Sequence, residues 1–299
     1  ELRTLEGLLL RPEDKSWLEK PPGQPSTATT LLYLGCNILR TPHLAQTVVE
    51  IFHKLGEDFE ALAGPAFCCG VPYEKIEGID GARLRGMSLA SRFQQFKPQQ
   101  VVFWCPGCLH FYKNILAISD SFRLLHVSEF LAENRDKLSL TPLPPTRVAL
   151  HYHCGTPDAE RQAASAKAIL TAVPGVELVD IGSTPEWGRQ CTGILRQRMG
   201  QEAWEAAIKP FFHRAVELSA DVFATPYHSC HRAYVSYEKH FPFSIEHYLS
   251  IVGRALGISY PDKYKQYLLW KDQNRILEDG YPCLEANRIP SELARVVVD

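Results

Sequence analysis

Short apolar runs alternate with longer amphipathic segments over most of the chain. The apolar runs are typical of strands buried on both faces, and they lie at 31–35, 101–105, 148–154 and 221–226. Apolar residues at helical spacing predict helices over 43–56, 82–96, 109–118, 158–172 and 201–219. Because strands that alternate with helices form parallel sheets, the pattern predicts an α/β protein.

The pattern occurs twice. A segment with three prolines at 141–146 separates the two copies. Cys36 and Cys68 are 32 positions apart in the first copy, and Cys154 and Cys191 are 37 positions apart in the second. We therefore predict an internal duplication of a unit of about 115 residues, folded as two tandem pseudo-symmetric doubly wound α/β units.

The two ends of the chain have no counterpart in the repeat. Residues 1–29 are polar and rich in proline, which is typical of an arm outside the core, and we call them the N-terminal arm. Residues 257–299, the C-terminal tail, are rich in aromatic residues, which suit either partner docking or packing on their own domain. Between them we predict a first domain at 30–140 and a second at 147–256.

Composition and charge exclude several classes of protein. Hydrophobic residues make up 45% of the chain and charged residues 22%, which is normal for a globular protein. The 32 basic and 34 acidic residues give a net charge of −2, without the basic excess of a nucleic-acid-binding protein. No apolar run reaches the about 20 residues of a transmembrane helix, and no signal-peptide pattern is present. We expect a cytoplasmic protein that meets a membrane only through partners.

The cysteines carry the chemical signal. An odd number, nine, argues against a disulfide framework. Five of them form the motif C-x31-C-C-G-x34-C-x2-C, namely Cys36, Cys68, Cys69, Cys105 and Cys108. Zinc and a cubane [4Fe–4S] cluster each take four ligands, so a fifth thiol fits a cluster with a bridging sulfur, or a separate redox thiol. A structural zinc on four of these thiols and a thioredoxin-like C-x-x-C pair are the alternatives.

The motif resembles that of the cysteine-rich CCG-domain family, typified by the catalytic B subunit of heterodisulfide reductase. That family carries two tandem copies of C…CCG…CxxC, and the resemblance covers residues 30–240. The segment GCNILRTPHLAQ at 35–46 is most similar to the B-type subunits of sulfur-oxidising heterodisulfide-reductase-like complexes. The resemblance implies that the five cysteines of the first copy ligate one noncubane [4Fe–4S] cluster. It places that cluster at the carboxyl ends of strands, in the cleft between the two units.

The second copy departs from the family pattern. Thr192 stands where the second cysteine of CCG belongs, and Tyr227 stands where the first cysteine of CxxC belongs. The remaining candidates for a second metal site, holding zinc or another iron–sulfur cluster, are Cys154, Cys191, Cys230 and His153.

Other histidines near these cysteines leave alternatives open. His151, His228 and His231 are further choices for the fourth ligand. Because His151 and His153 alternate on a predicted strand, we expect only one of them to face the site. The second site is alternatively empty, with Tyr227, His228 and His231 facing the first cluster as catalytic candidates.

The resemblance implies an oxidoreductase subunit of sulfur metabolism that acts on a disulfide or protein-bound sulfane sulfur. Its implied partners are a ferredoxin-like C-type subunit, a flavoprotein A-type subunit and a sulfur-carrier protein. The incomplete second copy argues against the two-cluster chemistry of the full family enzyme. It favours, as an alternative, a non-catalytic electron-relay or scaffold subunit of a dehydrogenase or quinone-linked complex. A structural zinc protein is a separate alternative.

Overall fold

The computed structural model describes residues 1–15, 17, 28–118, 121–182 and 193–298. The chain divides into two compact units, the first made of Glu1–Val127 and Asp262–Asp299 and the second of Ser128–Pro261. Each unit contains a four-stranded parallel sheet. The strands are β1 Thr30–Gly35, β2 Phe59–Ala63, β3 Gln100–Phe103, β4 Arg123–His126, β5 Thr146–Leu150, β6 Val176–Val179, β7 Val222–Thr225 and β8 Ser244–His247.

The two sheets have the same strand order. It is β2-β1-β3-β4 in the first unit and β6-β5-β7-β8 in the second, which confirms the predicted tandem α/β units. The four strands predicted from apolar runs are β1, β3, β5 and β7, which occupy the two central positions of each sheet. The sequence did not indicate the outer strands β2, β4, β6 and β8, because they are short and partly exposed and so lack a continuous apolar run.

Helices connect the strands. They are α1 Leu2–Leu9, α2 Pro42–Lys54, α3 Glu74–Phe96, α4 Pro106–His110, α5 Val127–Glu133, α6 Pro157–Thr171, α7 Gly193–Met199, α8 Gln201–Glu217, α9 His228–Tyr234, α10 Tyr248–Ala255, α11 Lys263–Trp270, α12 Gln273–Ala286 and α13 Ser291–Val298. The helix predicted over 109–118 begins earlier, at Pro106, and widens into a π-helical turn over Phe111–Leu116. None of the helices among the described residues is long and apolar enough to span a bilayer.

Aromatic side chains fill the space between the first sheet and α3. The Tyr33 ring meets Phe93 and Phe103 edge-on, with centroids 5.2 and 5.1 Å away, and Tyr112 lies 5.6 Å from both phenylalanines. All four rings are almost fully buried. Truncating a buried aromatic ring to alanine costs about 3–5 kcal/mol, so this cluster fixes α3 against the strands that carry the first cysteines.

The first helix of the N-terminal arm, α1, packs against the C-terminal tail. The first nine residues are not an extended arm: α1 presents an apolar face, with Leu8 fully buried, to Ile276, Leu277 and Leu284 of α12. The Asn287 side-chain amide donates hydrogen bonds to the main-chain carbonyls of Gly7 and Leu10. The tail therefore packs within its own unit, and partner docking stays a prediction. The reason for the packing is that the apolar stripe of α1 needs a partner to leave water.

Candidate functional site

The first motif lies where the order of the strands reverses. After β1 the chain moves to β2 on one side and then to β3 on the other, so the carboxyl ends of β1 and β3 flank a topological switch point. Ligands of open α/β sheets bind at such points. Cys36 follows β1 directly, and Cys105 follows β3 after one residue and precedes α4. Cys68 and Cys69 follow β2, on the loop that leads into α3.

The fold brings the sulfurs of the first motif into contact. Cys36 Sγ lies 3.7 Å from Cys68 Sγ, and Cys69 Sγ lies 3.1 Å from Cys108 Sγ. The Cys69 thiol also donates a hydrogen bond to the Cys68 sulfur, and the Cys108 thiol donates one to the Cys105 sulfur, so the contacts link all five residues. Cys69 and Cys108 are buried, whereas Cys68 and Cys105 are partly exposed. Residues more than 70 positions apart thus form one thiol cluster with a buried and an accessible side.

Backbone N–H groups point at these sulfurs. The Gly70 N–H donates to the Cys68 sulfur, and the Val71 N–H donates to the Cys69 sulfur. The N–H groups of Gly107 and Cys108, in the first turn of α4, donate to the Cys105 sulfur. Fixed donors of this kind stabilise negative charge on sulfur, as a thiolate that binds a metal requires.

The thiols do not share one ionisation state. Hydrogen bonds from Cys36, then Cys69 and the Gly70 N–H, together with the charge of Arg85, lower the pKa of Cys68 to about 3 despite its burial. The hydrogen bond from Cys108 likewise lowers the pKa of Cys105. The partners that supply these hydrogen bonds, Cys36 and Cys108, have raised pKa values.

Burial and a neighbouring thiol raise the pKa of Cys69. For Cys69, the lowering effect of Cys108 is outweighed by the hydrogen bond with Cys68 and by burial, which together raise its pKa to about 12. Cys68 and Cys105 are therefore the members that ionise most readily, and Cys36, Cys69 and Cys108 donate hydrogen bonds to them. Binding a metal would replace these shared protons, because the thiolate is the ligand form of cysteine.

Two residues at this site were not indicated by the sequence. Tyr33 is fully buried beside the cysteines, and its hydroxyl donates a 2.7 Å hydrogen bond to the Phe67 carbonyl, just before Cys68. Burial, and then the neighbouring Cys108 and Cys69, raise the pKa of Tyr33. The Arg85 guanidinium stacks 3.6 Å from the Tyr73 ring centroid on the accessible side. In sequence, Tyr33 is one of several apolar strand residues and Arg85 one of several helix-surface cations, so neither carried a distinguishing signal.

His126 contacts the backbone immediately before Cys105. Its Nε2 lies 3.2 Å from the Trp104 carbonyl oxygen, one residue before Cys105. The ring is fully buried, and this burial lowers the pKa of His126 to about 3. The imidazole is therefore neutral near pH 7, which allows Nε2 to carry the proton that it donates to the carbonyl.

We expect acid to destabilise the fold through His126. Its pKa is about 3 in the folded chain and 6.5 in the unfolded chain, so the unfolded chain binds the proton more tightly. Stability is therefore lost as the pH falls below 6.5, by up to about 1.4 kcal/mol for each pH unit, until the folded pKa is reached. Urea unfolding at a series of pH values measures this slope.

Glutamine at position 126 keeps an N–H donor but does not titrate. His126→Gln should therefore flatten the acid dependence, whereas His53→Gln, at an exposed position, should leave it as in the wild type. Equal slopes for His126→Gln and the wild type would contradict this prediction.

The second motif brings together a different set of donors from the predicted one. His151, His153 and Cys230 place ligand atoms within 4.8 Å of one another, with His153 Nε2 3.2 Å from Cys230 Sγ. The expectation that only one of the two histidines would face the site is wrong, because β5 ends at Leu150 and strand alternation does not continue beyond it. Cys154 is not a member of this group, and Cys191 lies outside the described residues, as does Thr192.

The other predicted residues of the second motif lie on or next to α9. His228 and His231 are buried in this helix and do not belong to the group around Cys230. Tyr227, immediately before α9, donates a 2.7 Å hydrogen bond from its hydroxyl to Gln162 Oε1. The His153 ring meets the Tyr227 ring edge-on at 5.0 Å. Tyr227 therefore contacts the donor group through an imidazole.

Residues 30–112 match the cysteine-rich domain family CCG. Two curated relatives are both the D-type subunit of dihydromethanophenazine:CoB–CoM heterodisulfide reductase. The protein from Methanosarcina mazei is 24% identical over 256 residues, and that from Methanosarcina acetivorans is 22% identical over 246. The matches cover 77% and 78% of this chain, which spans 60% of the length of each relative.

Two solved structures with detectable likeness are a racemase and a racemase homologue. An aspartate racemase homologue from Pyrococcus horikoshii OT3 is 13% identical, with 76% of this chain and 97% of that chain covered and a TM-score of 0.33. Glutamate racemase isoform RacE1 from Bacillus anthracis is also 13% identical, with coverages of 77% and 80% and a TM-score of 0.32. Likeness this low carries no conclusion about activity.

Proposed function

We propose that the protein is an iron–sulfur redox subunit of a heterodisulfide-reductase-like complex. The starting point is the match of residues 30–112 to the cysteine-rich CCG domain family. The substrate would be a disulfide or a protein-bound sulfane sulfur. One observation carries the proposal: five thiols from three loops meet at the switch point of the first sheet. The names of the two relatives, both heterodisulfide reductase subunits, support the same class of complex.

The donor set fits a noncubane [4Fe–4S] cluster better than zinc. Zinc takes four ligands, and a fifth thiol in direct contact with the others would be left over. The set contains only sulfur donors, the ligands that iron–sulfur clusters use. We propose that the ligands are the five cysteines of the first motif, Cys36, Cys68, Cys69, Cys105 and Cys108. When bound, such a cluster supplies single-electron transfer and a metal that a substrate sulfur can coordinate.

The residues around the five cysteines would stabilise negative charge on sulfur and control access to the cluster. The N–H groups of Gly70 and Gly107 hold negative charge on the sulfurs of Cys68 and Cys105. Tyr33 closes the buried side against water. Substrate would approach the partly exposed Cys68 and Cys105, beside the ion pair of Arg85 and Glu77.

We further propose that the chain works with partner subunits. A disulfide reaction moves two electrons, and the second unit places two histidines and one cysteine, not five cysteines, at its described donor group. A ferredoxin-like C-type subunit would then carry electrons to the thiol cluster, and a flavoprotein A-type subunit would collect or supply electron pairs. A sulfur-carrier protein is the proposed source of a protein-bound sulfane.

Metal analysis of the anaerobically purified chain tests the proposal. We expect about four irons and four acid-labile sulfides per chain, with an EPR signal after one-electron oxidation. Turnover of a disulfide or sulfane by the assembled complex would separate a catalytic subunit from an electron relay. Zinc alone, with no iron at the five cysteines, would overturn the redox proposal and leave a structural zinc protein.

A further inference from the structure

The carboxyl ends of β5 and β7 hold a second group of metal-binding atoms. These strands are the central pair of the second sheet, with Leu150 aligned to Ala224, so they flank the switch point equivalent to that between β1 and β3. His151 extends the pairing by one residue, because its N–H donates a 2.9 Å hydrogen bond to the Ala224 carbonyl. Cys230 lies in the first turn of α9, which follows β7. The fold thus places these donors at the position where α/β sheets bind ligands.

The three donors have the spacing of a metal site. The ligand atoms of His151, His153 and Cys230 all lie within 4.8 Å of one another. The His153 Nε2 to Cys230 Sγ distance is 3.2 Å, close to the edge of about 3.6 Å that Zn–N and Zn–S bonds make in a tetrahedron. A shift of a few tenths of an ångström would therefore admit a zinc ion between these two atoms.

Packing holds both imidazoles in place. The His151 ring meets Phe211 and Tyr234 edge-on at 5.1 and 5.2 Å, and His153 is held against Tyr227, which is itself anchored on Gln162. His151 and Cys230 are almost fully buried, whereas His153 is partly exposed. Donors held by neighbouring side chains bind a metal without a large ordering cost, and the exposed side leaves a route for solvent.

We propose that His151, His153 and Cys230, the donors that the described residues bring together here, bind one Zn²⁺ ion. Zinc takes both imidazole nitrogen and thiolate sulfur as ligands, because its borderline-soft character suits both. The site uses no residue of the thiol cluster, so it stands or falls independently of the proposed iron–sulfur function.

Zinc content of the full chain, purified anaerobically and equilibrated with Zn²⁺, tests the site. We expect about one zinc per chain in addition to the iron of the first motif. Loss of one ligand in His151→Gln, His153→Gln or Cys230→Ser should weaken zinc binding at least about a hundredfold, with iron content unchanged. His153→Cys supplies another zinc ligand and should retain the metal, which separates ligation from misfolding.

Cys154→Ser is the matched control, because it changes a neighbouring cysteine that the structure leaves outside the group. This variant should keep its zinc. Loss of zinc in Cys154→Ser, or retention of zinc in all three ligand variants, would overturn the assignment. A wild-type chain without zinc would overturn it as well, and so would iron content that falls in Cys230→Ser.

Discussion

The Cys69→Ser variant is expected to purify with less than about one iron per chain, where the wild type holds about four. Cys69 Sγ touches Cys108 Sγ at 3.1 Å and is only 2% exposed. A serine hydroxyl there stays protonated and is a poor ligand for iron, and burial denies the position to an external thiol. Iron and sulfide analysis with EPR under anaerobic conditions measures the loss.

The complete series of five single cysteine-to-serine variants distinguishes the two cluster types. A noncubane cluster with five protein ligands predicts that every member of the series loses iron or changes its EPR signal. A cubane cluster with a separate redox thiol predicts one silent variant, because it needs only four cysteines. Cys283→Ser is the control, since Cys283 is also buried but lies in α12, outside both motifs, and should keep its iron.

Replacing Gly70 with alanine is expected to have the second-largest effect. Gly70 adopts φ +98°, which an L-residue rarely does, and a Cβ there would lie 2.1 Å from the Ala82 carbonyl oxygen of α3. Backbone strain costs about 1–3 kcal/mol, and the overlap adds a similar amount because the neighbour is main chain and cannot rotate away. The loop that carries Cys68 and Cys69 must then move, so the variant should lose both stability and iron.

Gly56→Ala separates the two causes. Gly56 also has positive φ, +68°, but nothing lies within 4 Å of a Cβ at that position. The Gly56→Ala variant should lose about 1–2 kcal/mol of its free energy of unfolding, which is the cost of the left-handed conformation, and keep its iron. Denaturant midpoints and iron content measured side by side test the pair. If Gly70→Ala matched Gly56→Ala in both, the contact with α3 would have no part in forming the site.

The two units share one strand order but carry different donor side chains. Each sheet places donors at the carboxyl ends of its strands, yet the first collects five thiols, whereas the described residues of the second bring together two imidazoles and a thiol. Tyr227, in the position of a motif cysteine, makes an edge-on ring contact with His153 instead of offering a sulfur. The second unit is therefore a rebuilt donor site on the same fold.

The sequence by itself determined the central strands, five of the helices (α2, α3, α4, α6 and α8) and the duplication. These features depend on local apolar runs and helical periodicity, which are visible without any distant contact. The order and spacing of the five cysteines likewise predicted that these thiols belong together, and their sulfurs are in contact in the fold. Their gathering followed from one general rule, that parallel strands end at the same edge of a sheet.

Only the tertiary structure decided the features that depend on distant contacts. The outer strands are partly exposed, and they form strands because they pair with the central ones. Helix α1 is buried only because a segment more than 260 residues away packs over it. The donor set of the second site changed for the same reason. Which of His151, His153 and Cys154 reaches Cys230 depends on where β5 stops and how the chain turns, and no local pattern encodes that direction.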